Sequence, residues 1–294
     1  TEVLYSPTAH TPPPAPMAWH NPSLAWLERC QGRSGSHDRG WLEALGTLDA
    51  LSALGALRGD HPDWSFPEIL EGTEPVFRAR GLGHPLLPTS ACVPNDVQIG
   101  PPGSFLFVTG SNMSGKSTLL RAVGINAVLA QAGGAVCAEG MELVPLRVQT
   151  SMRTADSLAE GVSQYMAELN RIRQVVAGAR TEGFGTVLFL LDEPLQGTNE
   201  AERRVAVQTI LGHLLDARAI GAVATHDLQL DDTPRLGRAA RAVHLEGTVR
   251  EGETGPLITF DYMLKPGRAT STNALALLRA VGLGERDGGE EDPA

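Results

Sequence analysis

An α/β fold, with a mostly parallel sheet flanked by helices, is the architecture this sequence predicts, and three stretches predict it. Val187-Leu188-Phe189-Leu190-Leu191 is an unbroken apolar run, the pattern of a strand buried on both faces. Ala219 to Ala224 is a second run of the same kind. Lys116 to Gln131 has helical spacing instead, with apolar residues at Leu119, Leu120, Val123, Ala127, Val128 and Ala130. Strands alternating with helices build parallel sheets, and such sheets bind ligands outside the carboxyl ends of their strands.

The elements follow in order. Residues 1–22 hold six prolines and read as an extended arm. Residues 23–75 read as a helical segment. Within it, Ser23 to Cys30 is a short helix and Gln31 to Gly40 a polar loop. Trp41 to Leu57 is a longer helix whose stripe (Trp41, Leu42, Leu45, Leu48, Leu51, Leu54, Leu57) is expected to pack in a core. His61 to Pro67 breaks it. Residues 76–283 form the main domain. Val93-Pro94-Asn95-Asp96-Val97 reads as a turn, and Gly100-Pro101-Pro102-Gly103 leads into a strand at Phe105 to Thr109. Ala135 to Cys137 and Leu143 to Thr150 read as short strands, Ser163 to Val176 and Glu200 to Arg218 as helices. Ala242 to Leu245 and Leu257 to Tyr262 are further strands, and Asn273 to Val281 a closing helix. Residues 284–294 form an acidic, Gly-rich tail expected to be disordered.

Composition narrows the function. The chain has 294 residues, 42% of them hydrophobic and only 5% aromatic, so its core is built mainly from Leu, Val and Ala. A net charge of −10 argues against a broad basic surface, so nucleic-acid contacts must be local or come from another segment. Cys30, Cys92 and Cys137 are far apart in sequence and form no C-x-x-C pair, which indicates neither a disulfide framework nor a zinc site. A cytoplasmic setting fits this cysteine usage best. No apolar run is long enough to span a membrane, and the N-terminus has no signal-peptide pattern. The first residue is not Met, as expected of a fragment or a processed chain.

The chemistry concentrates between the strand at Phe105 to Thr109 and the helix from Lys116. Gly110-Ser111-Asn112-Met113-Ser114-Gly115-Lys116-Ser117-Thr118 fits G-x-x-x-x-G-K-[ST], the phosphate-binding P-loop. Strand, glycine loop and helix aim backbone N–H groups and the positive helix end at phosphates. Lys116 is one of only two lysines in the chain, so its place here is not compositional drift. It is expected to reach the β- and γ-phosphates of ATP, with the Ser117 hydroxyl on Mg²⁺. Asp192 and Glu193 end the apolar run Val187 to Leu191. Asp192 would share the Mg²⁺ with Ser117, and Glu193 would orient and deprotonate the attacking water. His226 follows the run at Ala219 to Ala224 in the same way and suits a γ-phosphate sensor or a water-positioning group. Gly197-Thr198-Asn199 is an N-cap for the next helix, a subunit-contact loop, or both.

These residues together resemble the ATPase domain of the MutS mismatch-repair family. Asn112 to Thr118 is similar to that family's N-M-x-G-K-S-T loop, Asp192-Glu193 with Gly197-Thr198 to its D-E-x-x-x-G-T stretch, and Thr225-His226 to its T-H switch. Ser163-Gln164-Tyr165-Met166-Ala167-Glu168-Leu169 resembles the S-T-F-M-x-E-M signature, with Gln164-Tyr165 in place of Thr-Phe. Arg153 and Asp156 match the arginine and aspartate upstream of it. Gly83-His84-Pro85 and Val93-Pro94-Asn95 resemble the approach to the nucleotide pocket, and Leu48 to Ser52 the end of the lever helix. Pro194 after Glu193 is as in transporter-type ATPases, yet no L-S-G-G-Q-like signature is present. The text is most similar to a bacterial MutS-like branch without a mismatch-reading domain.

The resemblance implies a P-loop NTPase of the ABC type that binds and hydrolyses ATP with Mg²⁺. It implies a homodimer joined through the ATPase domains, in which Ser163 meets the partner's nucleotide, and ATP-driven dimerisation that controls a DNA clamp. It adds Val93 and Asn95 to the nucleotide-binding set. No segment upstream of Val76 here is long enough for a mismatch reader, so DNA binding by this chain alone is expected to be weak and without mismatch specificity. A transport or chromosome-maintenance ATPase, or a nucleotide-switched interaction module, is the rival reading.

Overall fold

The computed structural model describes residues 38–72, 74–152, 164–181, 185–252 and 255–269, with isolated positions at 26, 28, 29 and 32. The chain divides into two compact units, Thr1–Ala56 and Leu57–Ala294. Helix α1 (Asp38–Asp60) begins in the first and ends in the second. Trp41, Leu42, Leu45, Leu48 and Leu51 are 58–69% exposed and only Leu54 and Leu57 are partly covered, so most of the stripe expected to pack in a core does not do so. At its end the Arg58 guanidinium donates to the His61 carbonyl, and the His61 ring stacks on buried Trp64.

Two sheets organise the second unit. The smaller contains β1 (Glu68–Ile69), β2 (Phe77–Leu82), β3 (Asn95–Ile99) and β5 (Gly140–Leu143), in the order β1-β5-β2-β3. The larger contains β4 (Phe105–Gly110), β6 (Leu146–Ser151), β7 (Thr186–Asp192), β8 (Ile220–Ala224), β9 (Ala240–Gly252) and β10 (Gly255–Pro266), in the order β10-β9-β4-β8-β7-β6. The helices are α2 (Lys116–Gln131), α3 (Gln164–Arg180), α4 (Glu200–Asp216) and the short α5 (Pro234–Ala239). Among the described residues no helix is long and apolar enough to cross a membrane.

Both sheets are mixed: the larger, with four parallel pairings and one antiparallel, meets the expected parallel sheet in part, and the smaller is mainly antiparallel. In the larger sheet β4 pairs in parallel with β8 and β9, and β7 with β6 and β8. β10 runs antiparallel to β9, because too few residues separate Gly252 from Gly255 to make a crossover. In the smaller sheet β2 is antiparallel to both β3 and β5. Asn95 and Val97, read as part of a turn, belong to β3. The stretch Leu143 to Thr150, read as one strand, is divided between the two sheets, with Pro145 at the break where no ladder N–H is available. Val136, read as part of a strand, makes only an isolated bridge to Ser65. The closing helix expected at Asn273 to Val281, and the tail, lie outside the described residues.

The strand period of two sorts the core into two layers. Along β4, Leu106 and Val108 face one layer with Leu188, Leu190, Ala222 and Ala224, where α2 supplies Leu119, Leu120, Val123 and Ala127. Phe105 and Phe107 face the other with Phe189, Leu191 and Val223, where α3 and α4 supply Ile172, Val175, Val207, Leu211 and Leu214. This is why β4, β7 and β8 read as continuous apolar runs. Gly221 is required by space: a Cβ there would stand 2.2 Å from the Phe189 carbonyl oxygen and 2.4 Å from its ring.

Candidate functional site

The carboxyl ends of β4, β7 and β8 come level with one another. Asp192 pairs with Ala224, and Val108 pairs with the same residue from the other side. The Glu193 N–H donates to the Ala224 carbonyl and the Thr225 N–H to that of Val108. The three segments that leave these strands therefore meet: the P-loop after β4, the acidic pair at the end of β7, and Thr225-His226 after β8.

The P-loop takes its shape from its glycines. Gly110 has φ +147, and a Cβ on it would lie 2.4 Å from the Leu245 carbonyl oxygen and 2.8 Å from Ser114 Oγ. Gly115, with φ +99, stands immediately before α2. Met113 also has positive φ and is 85% exposed, whereas Ser114 is buried. The loop thus turns tightly over the N-terminus of α2, whose free N–H groups and dipole favour an anion. Lys116 is 6% exposed, and its ammonium donates to the carbonyls of Gly110 (2.9 Å) and Ser111 (3.0 Å).

Facing this lysine is the acidic pair. Glu193 Oε1 is 3.7 Å from Lys116 Nζ, and Glu193 Oε2 is 2.8 Å from His226 Nδ1. Burial pushes the Lys116 pKa below the ordinary lysine value, while the Glu193 and Asp192 carboxylates pull it back in part. Four buried oxygens in the region, Ser111 Oγ, Ser114 Oγ, Asp192 Oδ1 and Glu193 Oε1, have no hydrogen-bond partner among the described residues. Unpartnered buried oxygens beside a desolvated cation are costly unless a ligand completes them. A carboxylate and hydroxyls are the hard oxygen donors that Mg²⁺ selects, so the residues present fit a magnesium–triphosphate complex.

A cavity of about 860 Å³ opens here. It is lined by Val93, Asn95, Asn112, Met113, Ser114, Gly115, Lys116, Ser117, Thr118, Asp192, Glu193 and His226. The structure therefore brings together nearly every residue expected at the site. Gly110 does not line the cavity and contributes its carbonyl to Lys116. Asn95 lines it, yet its amide is engaged elsewhere: it donates to the carbonyls of Val93 and Tyr262 and accepts from the Leu264 N–H at 2.6 Å. Ser163, Arg153 and Asp156 lie outside the described residues.

Several lining residues had no motif to announce them. Tyr262 sits at a register shift in β10 with φ +54, and its ring approaches Gly115. Asn95 holds that bulge in place. Arg203 also lines the cavity, with its guanidinium 3.5 Å from His226 Nε2. Because Nδ1 faces a carboxylate and Nε2 a guanidinium, the neutral ring carries its proton on Nδ1. One helical position further on, Arg204 grips the nearly buried Asp227 with two hydrogen bonds, of 2.7 and 3.0 Å. Burial alone would raise the Asp227 pKa, but this guanidinium and the Gln229 N–H bring it below the usual aspartate value.

The loop between β7 and α4 is fixed by α3. Glu168 accepts from the Leu195 N–H at 2.7 Å, and Tyr165 packs against Gly197, where a Cβ would stand 3.0 Å from the tyrosine Cβ. Asn199 caps α4 by accepting from the Glu202 N–H at 2.9 Å.

Comparison with known proteins supplies the remaining finding. The family model described as MutS domain V matches residues 106–286. The DNA mismatch repair protein MSH6 of Arabidopsis thaliana is 29% identical over 273 residues, covering 87% of this chain and 20% of that protein. The DNA mismatch repair protein MutS 2 of Halobacterium salinarum is 32% identical over 253 residues, covering 82% of this chain and 27% of that protein. The chain thus spans between a fifth and about a quarter of the length of these relatives.

Proposed function

The chain belongs to the MutS domain V family, and from that premise we propose that it is a magnesium-dependent ATP hydrolase that dimerises on ATP and controls a DNA clamp. The observation that carries the reading is the meeting of Lys116, Glu193 and His226 at the ends of three neighbouring strands, beside buried oxygens that have no hydrogen-bond partner among the described residues. The P-loop N–H groups and Lys116 bind the β- and γ-phosphates. Ser117 and Asp192 hold Mg²⁺, which supplies neutralisation of the charge on the phosphate oxygens. Glu193 takes the proton of the attacking water, and His226, hydrogen-bonded to its other oxygen, fixes the direction of that carboxylate. Val93 and Asn95 form the wall toward the base. The resemblance assigns Ser163, which lies outside the described residues, to the nucleotide of a second copy of the chain.

Both relatives are named as DNA mismatch repair proteins, and DNA is the partner proposed here, bound without mismatch specificity by this chain alone. The deciding experiment measures MgATP binding by calorimetry and steady-state phosphate release, with and without duplex DNA. Wild type binds and hydrolyses, whereas Lys116→Ala loses nucleotide binding. Wild-type protein that binds no MgATP, or a Lys116→Ala variant that binds it normally, would refute the reading.

A further inference from the structure

Cys92 and Cys137 are remote in sequence, yet the fold sets their sulfurs side by side over Gly83. A Cβ on Gly83 would stand 2.7 Å from Cys92 Sγ and 2.7 Å from Cys137 Sγ, so the two sulfurs are no further apart than twice that distance. The neighbouring Cys92 thiol adds to the burial that raises the Cys137 pKa. Gly83 has no positive φ that would call for glycine, so its missing side chain is what makes room for the pair. The surroundings are firmly held. The Gly83 N–H donates to the Cys137 carbonyl at 2.8 Å. Asn126 of α2, fully buried, donates to the Gly83 carbonyl and accepts from the Cys137 N–H. Both thiols are free and only partly covered. Cys92 also lines the cavity.

Among the described residues no group of three or more His, Cys, Asp or Glu side chains is placed to hold a metal ion, so a structural metal does not explain this pair. Sulfurs this close have only a short further approach to make to the roughly 2.05 Å of a disulfide bond. We propose that Cys92 and Cys137 form a reversible intramolecular disulfide at the rim of the nucleotide cavity. The oxidant is a hydroperoxide. The Cys92 thiolate attacks the peroxide oxygen, the O–O bond breaks, and a sulfenic acid forms as the other oxygen leaves as water or an alcohol. Cys137 attacks that sulfur, the S–O bond breaks, and the hydroxyl departs as water with the Cys137 proton. Two thiols are oxidised by two electrons and one peroxide is reduced. Burial pushes the Cys137 thiol up to about 11, which disfavours its thiolate and leaves the first attack to Cys92 at the cavity rim.

Bond formation would tie the Cys92 segment to Cys137, and Val93, the next residue, lines the same cavity. Disulfide and nucleotide therefore act on the same segment, and linkage makes the coupling reciprocal: by whatever factor oxidation changes nucleotide affinity, nucleotide changes the thiol–disulfide equilibrium. This second limb rests on the proposed ATP site; the disulfide itself does not.

The test treats the Cys30→Ser protein with hydrogen peroxide at low protein concentration and maps peptides without reduction by mass spectrometry. A cross-linked peptide pair containing Cys92 and Cys137, lighter by two hydrogens and restored by dithiothreitol, is expected. Cys92→Ser on the same background should lose it. Peroxide that yields only sulfinic acids, or links between molecules, overturns the disulfide. A titration of the same cross-link in thiol–disulfide redox buffer with and without saturating MgATP, preceded by calorimetry of the reduced protein, examines the coupling. A shifted midpoint supports it, and an unchanged midpoint in protein shown to bind MgATP overturns the coupling alone. Reduced protein that binds no MgATP would instead defeat the proposed ATP site, whatever the cross-linking result.

Discussion

Glu193→Gln is the substitution that tests the proposed hydrolysis most directly. The side chain is 13% exposed and has two engagements, Oε2 on His226 Nδ1 at 2.8 Å and Oε1 at 3.7 Å from Lys116. Glutamine matches its shape and can still accept from His226, so the fold and the cavity are preserved. What is lost is the negative charge and the ability to take a proton. A positioned general base contributes about 10²–10⁴-fold, or about 2.7–5.5 kcal/mol of barrier at 1.36 kcal/mol per decade. Binding should change little, because the contacts Lys116 makes to the Gly110 and Ser111 carbonyls do not involve residue 193. The assay is single-turnover hydrolysis of radiolabelled ATP with enzyme in excess, beside nucleotide affinity by calorimetry. A hydrolysis rate within about threefold of wild type would remove Glu193 as the base.

Other expectations follow from the same geometry. Asn126→Ala leaves the Gly83 carbonyl and the Cys137 N–H without their partner in a buried setting; at about 1–3 kcal/mol for each orphaned group, urea unfolding should show a loss of about 2–6 kcal/mol. Gly110→Ala drives a Cβ to 2.4 Å from the Leu245 carbonyl at φ +147, so thermal unfolding should register about 1–3 kcal/mol of overpacking and calorimetry a loss of nucleotide binding. Light scattering of Glu193→Gln with MgATP should report a dimer that Ser163→Arg abolishes, and a monomer in every nucleotide state would refute ATP-driven dimerisation. Titration of homoduplex and mismatched DNA should give equal affinities, and a preference above about tenfold, or about 1.4 kcal/mol, would contradict the absence of mismatch reading.

How much was legible in the sequence depended on whether a feature is local. The P-loop, the acidic pair and His226 each follow an apolar run, and strand-then-polar-residue is a local signal of a sheet edge. The cavity accordingly contains nearly the whole expected set. Tyr262 carried no such signal. It reaches Gly115 only because β10 bulges and Asn95, 167 residues away in the chain, holds the bulge. Arg203 lay unremarked inside a helix whose N-cap was legible, because nothing in its spacing reveals that His226 is nearby. Cys92 and Cys137 read as isolated thiols for the same reason. The stripe on α1 failed differently: helical period reports an apolar face, but not whether anything covers it. The sheets failed at Pro145, where one β-rich run feeds two different sheets, a matter of long-range pairing that period alone does not encode.

The geometry also explains why Glu193 needs support from outside its own strand. Glu193 and Leu195 both have positive φ, at +46 and +59, a conformation that non-glycine residues adopt only when their surroundings hold them there. Two anchors do so. The Glu193 N–H is bonded to Ala224, which ties the residue to β8 and hence to the strand preceding His226. The Leu195 N–H is bonded to the Glu168 carboxylate, which ties the same turn to α3. The carboxylate opposite Lys116 is thus set by two elements that otherwise meet the site from different sides. Leu195 is fully buried between them, so the turn cannot relax without opening the layer that contains Ile172 and Leu211. A shift of α3 along its axis would have to move Leu195, and with it the backbone that aims Glu193. The residue preceding α3 in sequence is Ser163, so a contact there would act on the one helix that positions the proposed base.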